Sequence, residues 1–445
     1  MNKFSLLSFQ IKQWTFLRRG VLVCALWIVG MGLGPVVPAA AQEVPVYDLP
    51  KLLVEVSQSN PQIQAAESLL AAAKKRVPQS SSLPDPMVGY SYMGEMVETR
   101  LGPQEDIYEF EQEIPFPGKL LARRKMAHAD VDAAQANLAV TQNDTLFKTV
   151  QTYYELLMVK EALTVAEEIH ALMVGLESVA QSRYAGGRGS QQEISSLQIE
   201  LSKILKELVD LRSQQESLTA MLSALLNQQG SVKIEGDIEE PLPVLKNDIE
   251  ELLAVASESR PELREAQAMT QRENHAYRLA KYENAPDFKI GFQYMKIGSG
   301  MTANPDDGRD AWMIPIKITL PIWRNRIDST IAEAKNNLAA SEANLQSQEN
   351  TTVFEVKNAF YQWNAKRQIA DLYRNALLPQ TEIALHSAQT DYKAGEVPVM
   401  DFLESQRKYL EARIVYYRAL ADANISFAAL QRVLGTNLSE VNNDE

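Results

Sequence analysis

Four histidines, fourteen methionines, one cysteine and a pair of carboxylates one helical turn apart are the side chains here with chemistry to offer. His128, His170, His275 and His386 stand singly within helical stretches, with no second ligand at metal-binding spacing, so solvated or interfacial imidazole is the plain reading. Met87, Met93 and Met96 gather near one expected hairpin loop, and Met295 and Met301 near another. Thioethers suit soft ions such as copper(I), but gap-filling and loop methionines are the simpler account. No glycine-rich phosphate loop is present, so nucleotide hydrolysis is not expected. These residues suggest neither an enzyme nor a cofactor or metal site.

The carboxylates are more informative. Gly395 is followed by Glu396, Asp401, Phe402 and Glu404, with Asp401 and Glu404 on one face of a helix start. In a symmetric oligomer they would stack as carboxylate rings around an axis. In a lone chain they are a solvated acid pair, favourable at a helix N-terminus. Both readings stand at this point.

The elements that must position these residues are long helices. From Ile194 through Leu197, Leu201, Ile204, Leu208, Leu211, Gln215, Leu218 and Leu222 to Leu225, the gaps alternate three and four, and only Gln215 breaks the apolar run. That period of 3.5 predicts a left-handed coiled coil. An outgoing arm carries a shorter version through Ala166, Ile169, Met173, Leu176 and Ala180. Between the arms, Arg183 to Ser190 includes Gly186, Gly187 and Gly189, which allow a tight reversal. The return arm alone would span roughly 50 Å at about 1.5 Å per residue.

The N-terminus reads as an export signal over residues 1–41. Arg18 and Arg19 precede an apolar run from Val21 to Leu33, and Ala39 to Ala41 offer small residues for cleavage. Cys24 lies inside that signal, so the mature chain has no thiol, which excludes disulfides and cysteine-bound metal. Residues 1–41 hold four basic residues and no acid, leaving 40 basic against 57 acidic, or −17. Such an acidic body argues against non-specific nucleic-acid binding.

Four short segments alternate strictly between apolar and polar residues. Their apolar positions are Val88, Tyr90 and Tyr92; Tyr108, Phe110 and Ile114; Phe288, Ile290, Phe292 and Tyr294; and Trp312, Ile314, Ile316, Ile318 and Leu320. Period two means strands with one oily and one polar face. Aromatic oily faces opposite ionisable polar faces suit lipid outside and water inside. Four strands cannot close a barrel, and an open edge cannot sit in lipid, so a membrane barrel demands that several copies pool their strands. Gly94 to Glu105 and Gly298 to Asp310 are expected to be exposed hairpin loops. Pro115 and Pro117, and later Pro321, are expected to end the strand ladder.

The chain repeats itself. Ser59-Asn60-Pro61 matches Ser259-Arg260-Pro261, Pro84-Asp85 matches Pro286-Asp287, Ala136-Asn137-Leu138 matches Ala343-Asn344-Leu345, and the Tyr184 tip matches the Tyr392 tip. The expected organisation is a signal at 1–41, a first repeat at 42–230, a linker at 231–247, a second repeat at 248–435 and a tail at 436–445. Each repeat reads helix, strand, loop, strand, long helix, glycine tip, long helix. Pro379 should kink the second outgoing helix without ending it.

Two such repeats, the run Ile114-Pro115-Phe116-Pro117-Gly118-Lys119 and the Tyr-x-x-Gly tips resemble the outer-membrane efflux proteins of the TolC type across the whole mature chain. The stretch from Glu111 to Lys119 is most similar to the heavy-metal efflux branch. The resemblance implies a mostly α protein with a membrane β-barrel: a homotrimer whose four strands per protomer close a twelve-stranded barrel in outer-membrane lipid, continued by a coiled-coil helical barrel in the periplasm. It implies an exit duct of a tripartite pump, for metal cations if the heavy-metal branch is followed, with a periplasmic adaptor protein and an inner-membrane proton-driven RND-type pump as partners. By position, Tyr184, Gly187, Tyr392 and Gly395 match the tip motifs that contact the adaptor, and Asp401 and Glu404 match the acidic pore constriction. Departures are Ser196 at the second acidic position of the first tip and Val397 where some relatives place a gating arginine. Arg188, in the first tip, is the candidate for a closed-gate salt bridge. The competing class is a periplasmic coiled-coil adaptor or scaffold, which usually carries one helical hairpin rather than two.

Overall fold

Proline and small polar caps start most of the helices. The computed structural model describes residues 45–436, apart from 244, 246, 300–302 and 304; the expected signal at 1–41 and most of the tail lie outside the described residues. Strand β1 (Val46–Tyr47) leads into helices α1 (Leu49–Ser59) and α2 (Pro61–Ser81), joined at Asn60. The Asn60 amide oxygen accepts from the Gln62 N–H at 2.9 Å, and its Nδ2 donates to the Leu225 carbonyl at 2.9 Å. One buried side chain thus caps a helix start and ties it to a distant helix end.

Strands β2 (Met87–Thr99) and β3 (Gly102–Ile114) form the first hairpin. Pro117 then opens α3 (Pro117–Ala185), an unbroken helix of 69 residues and about 100 Å, and α4 (Gln191–Leu225) returns along it. Every predicted apolar seam residue on both arms is buried, and Gln215 is half-buried. After α4, strand β4 (Lys233–Ile234) pairs in parallel with β1. Tyr153, on α3, donates its hydroxyl to the Glu235 carbonyl at 2.9 Å, pinning the linker to the helices.

The second half follows the same order: α5 (Ile249–Ser259), α6 (Pro261–Tyr282), β5 (Phe288–Ile297), β6 (Ala311–Met313), β7 (Ile316–Ile318), α7 (Arg324–Leu372), α8 (Leu378–Ala394) and α9 (Val399–Leu434). A π-helical turn, Tyr373–Leu377, joins α7 to α8. The Leu378 N–H there reaches back to the Tyr373 carbonyl, and this wider turn accommodates Pro379, which has no N–H and whose ring crowds the preceding turn. The expected kink is therefore a π-turn. Helix α3 packs on α2, α4, α6 and α9, and α9 also packs on α7 and α8.

Two expectations about the strands need correction. The segment from Gly94 to Glu105 is mostly strand, not loop: β2 and β3 run on to a turn at Arg100 and Leu101. A register shift between Tyr92 and Val97 breaks the alternation there, so the period-two signal is lost although pairing resumes. Gly102, at φ 124°, supplies a backbone conformation that a side chain would resist. The fourth strand is split into β6 and β7 by Pro315, which cannot donate to the ladder. Both pieces keep one register on β5, Tyr294 opposite Trp312 and Ile290 opposite Ile316.

Candidate functional site

Three features could do work: the two-faced sheet, the hairpin tips and the carboxylates beside the second tip. The sheet runs β2-β3-β5, with β6 and β7 both beside β5. Its register sets Tyr90 opposite Tyr108, Tyr108 opposite Tyr294 and Tyr294 opposite Trp312, so one aromatic row crosses β2, β3, β5 and β6. This face is bare: Val88 is 82% exposed and Ile316 73%. An apolar face of this extent is not left to water without a partner or a lipid phase.

Facing the other way is a ladder of charge. Glu111 lies 3.5 Å from Lys289 and 2.5 Å from Lys317, Lys289 is 3.3 Å from Glu113, and Gln293 donates to Glu109 at 2.6 Å. Below the sheet, Asp287 accepts the Phe116 N–H at 2.7 Å and the Lys119 ammonium at 2.8 Å. The Lys119 side chain is only 6% exposed, so this ion pair anchors the strands to α3 with little competition from water.

At the tips, Gly187 and Gly395 take positive φ, 72° and 82°, and so end their helices in left-handed turns. Tyr184 is 48% exposed and stands outward. Tyr392 does not: it is 1% exposed and belongs to the joint between the two hairpins. Its ring stacks on Phe402 at 5.7 Å, the Arg183 guanidinium sits 5.3 Å over it, and its hydroxyl donates to Glu193 at 2.5 Å. Burial, reinforced by that bond to a carboxylate, pushes the Tyr392 phenol up to about 12. Glu193 is also 3.9 Å from Arg183. Spacing alone does not bring Arg183, Glu193 and Tyr392 together, because they come from both hairpins.

Arg188 is exposed and makes no ion pair within the chain among the described residues, whereas Arg183 is the cation that lies near Glu193. Asp401 is exposed in the first turn of α9, likewise without an ion pair there, whereas Glu404 holds Arg407 at 2.5 Å and Lys408 at 3.5 Å. Partial burial opposes ionisation of Glu404, but these cations outweigh it and lower its pKa. The two carboxylates are therefore unequal: Asp401 carries unshared charge and Glu404 shares its own.

No group of three or more His, Cys, Asp or Glu able to hold a metal ion occurs among the described residues. Met87 is exposed on the sheet, while Met301 and the Met96 side chain lie outside the described residues. His275 is held below its usual pKa by burial and by Arg278 and Lys125. No described helix is long and apolar enough to cross a membrane.

The sequence pattern of one family, described as outer membrane efflux protein, matches twice, over residues 52–228 and 252–436. Among curated proteins, the cobalt-zinc-cadmium resistance protein CzcC of Cupriavidus metallidurans is 23% identical over 385 residues, covering 85% of this chain and 87% of that one. CusC, solved in a study of folding and transmembrane channel formation, superposes with a TM-score of 0.75 at 15% identity, covering 87% of this chain and 92% of its own. The CmeC outer membrane channel of Campylobacter jejuni gives 0.72 at 16% identity, with 89% and 88% covered.

Proposed function

The chain belongs to the outer membrane efflux protein family, and from that premise we propose that it is the passive exit duct of a tripartite pump exporting metal cations. Its place is the outer membrane, with the sheet in lipid and the long helices in the periplasm; its fold is the TolC-type channel fold. The observation that carries the reading is the sheet with one bare aromatic face and one charged face. That distribution fits lipid on the outside and a water-filled lumen on the inside. Since four strands cannot close, three copies pool theirs as a homotrimer, and the 42–230 and 248–435 halves of each copy supply one strand pair and one hairpin apiece.

The mechanism is gating, not bond-making. Untwisting of the hairpin tips widens a pore lined by Asp401 and, more weakly, Glu404, while an inner-membrane proton-driven RND-type pump supplies the energy and a periplasmic adaptor engages the tips. Tyr184 and the backbones at Gly187 and Gly395 form the adaptor surface; Tyr392 acts behind it. Metal cations are the favoured cargo because of the likeness to CzcC, a protein named for cobalt, zinc and cadmium resistance. Deleting the gene in a host that carries the matching pump should lower tolerance to divalent metals, restored by the wild-type chain. Unchanged metal tolerance with altered tolerance to organic toxicants would keep the duct and remove the metal assignment.

A further inference from the structure

The sheet has two unpaired edges, and the internal repeat specifies how a second copy closes onto them. The offsets are constant: β2 maps onto β5 by 202 residues, and β3 onto β6–β7 by 206. Val88 opposite Phe110 becomes Ile290 opposite Ile316. The two hairpins are therefore one motif used twice, and the seam between them, β3 on β5, sets Phe110 opposite Phe292 and Ile114 opposite Phe288. Applying that seam once more, from β7 to the next copy, sets Ile316 opposite the partner's Tyr90 and Ile318 opposite the partner's Val88.

Backbone phase agrees independently. The Gly291 N–H donates to the Pro315 carbonyl at 2.9 Å, so Pro315 turns its carbonyl and its missing donor toward β5. In an antiparallel strand the two polar groups of a residue point the same way and alternate along the chain. Ile314, Ile316 and Ile318 therefore present intact N–H and C=O groups to the open edge, and the proline costs that edge nothing. Gly89 corresponds to Gly291, so Val88 and Tyr90 turn theirs outward from β2. A one-residue slip would pair outward with inward groups and put the oily faces on opposite sides. Slips of two satisfy both conditions, and the repeat chooses between them.

Charge marks the same joint. Asp287 takes the Phe116 N–H and Lys119 at the internal seam. Its counterpart Asp85 is exposed and makes no ion pair among the described residues. The counterpart of the segment around Lys119 carries Arg324 and Arg326, both exposed. We propose that copies of this chain join β6–β7 edge to β2 edge in the register that sets Ile318 against the partner's Val88, with the partner's Asp85 received by the Arg324–Arg326 segment. This rests on the oligomeric duct reading and adds to it a defined seam.

The mature chain lacks cysteine, so disulfide trapping reads the register directly. Thr319→Cys with Met87→Cys places two thiols on a directly opposed pair that is not hydrogen-bonded, about 4.5 Å apart at Cα and within disulfide reach. Lys317→Cys with Met87→Cys is displaced by two residues, about 8 Å away at about 3.4 Å per residue, and beyond reach. Oxidising the exported, detergent-extracted proteins, which no longer carry residues 1–41, should convert the first pair to covalent trimers on a non-reducing gel and leave the second largely uncrosslinked. Asp85→Asn in the wild-type background should lower the temperature at which the trimer dissociates. Crosslinking of the displaced pair, or of neither pair, in a protein that is still trimeric by native mass would overturn the register and leave the duct intact. Absence of any oligomer by native mass would overturn both.

Discussion

Tyr392→Phe deletes one hydroxyl from the joint between the two hairpins and leaves its packing in place. The phenyl ring keeps its stack on Phe402 and its position under Arg183, so what is lost is the hydrogen bond to Glu193. A hydrogen bond to a charged group contributes about 1.5–3 kcal/mol. The Glu193 side chain is 12% exposed and keeps Arg183 at 3.9 Å, so the lower end applies. In each protomer, a loss of about 1.5 kcal/mol shifts the balance between joined and separated hairpins roughly tenfold. If the three protomers of a trimer open together, the losses add to about 4.5 kcal/mol, on the order of a thousandfold. Single-channel recording in planar bilayers measures this as open fraction. The wild-type channel should be closed, and the variant should visit a high-conductance state. A variant that remains trimeric, with the open fraction of the wild type, would show that the Tyr392–Glu193 bond does not hold the two hairpins together.

Because Tyr392 is raised to about 12 from an ordinary value of 10.0, its contribution is complete below about pH 10 and fades as pH rises toward 12; the wild-type open fraction should climb over that window and the Tyr392→Phe open fraction should not. Asp401→Asn combined with Glu404→Gln should weaken block by multivalent cations several-fold, since each removes an exposed charge that attracts them, whereas unchanged block in bilayers would remove them from the pore. Lys119→Met strands Asp287 beneath the sheet and should destabilise the protein by up to about 3 kcal/mol, seen as a lower thermal midpoint; an unshifted midpoint would show that the pair is not an anchor. Leu222→Ala, in the fully buried seam, should cost about 2–5 kcal/mol, while Val209→Ala, on the exposed face of the same helix, should stay within about 0.5 kcal/mol; equal effects would contradict the coiled-coil assignment.

Much of the architecture is legible in the chain because it depends on periodicity. The α4 seam from Ile194 to Leu225 and the oily positions from Val88 to Ile318 are sorted by one face each, and that sorting is written in residue order. What is illegible depends on contacts between distant segments or on a lost period. The β2–β3 hairpin continues past Tyr92 through a register shift, so polar residues such as Glu95 and Glu98 look like loop although Glu98 pairs with Pro103. The β1–β4 pair has two residues on each side and carries no pattern at all. At the tips, Tyr-x-x-Gly marks the reversal correctly, but only the packing of the two hairpins shows that Tyr184 stays outside while Tyr392 turns inward to Glu193. Asp401 and Glu404 look alike in sequence; Arg407 and Lys408, one turn further on, make them unlike.

A pooled-strand channel of the outer membrane and a periplasmic scaffold differ in how the protein is held and in how many copies assemble. The most direct test between them is the native mass of the mature protein extracted from outer membranes in mild detergent, taken with the helical and β content of the same sample. The expected result is a trimer, three times the mass of the mature chain, mostly helical with a minor β signal and resistant to release by carbonate. A water-soluble monomer or dimer, released without detergent, would contradict it.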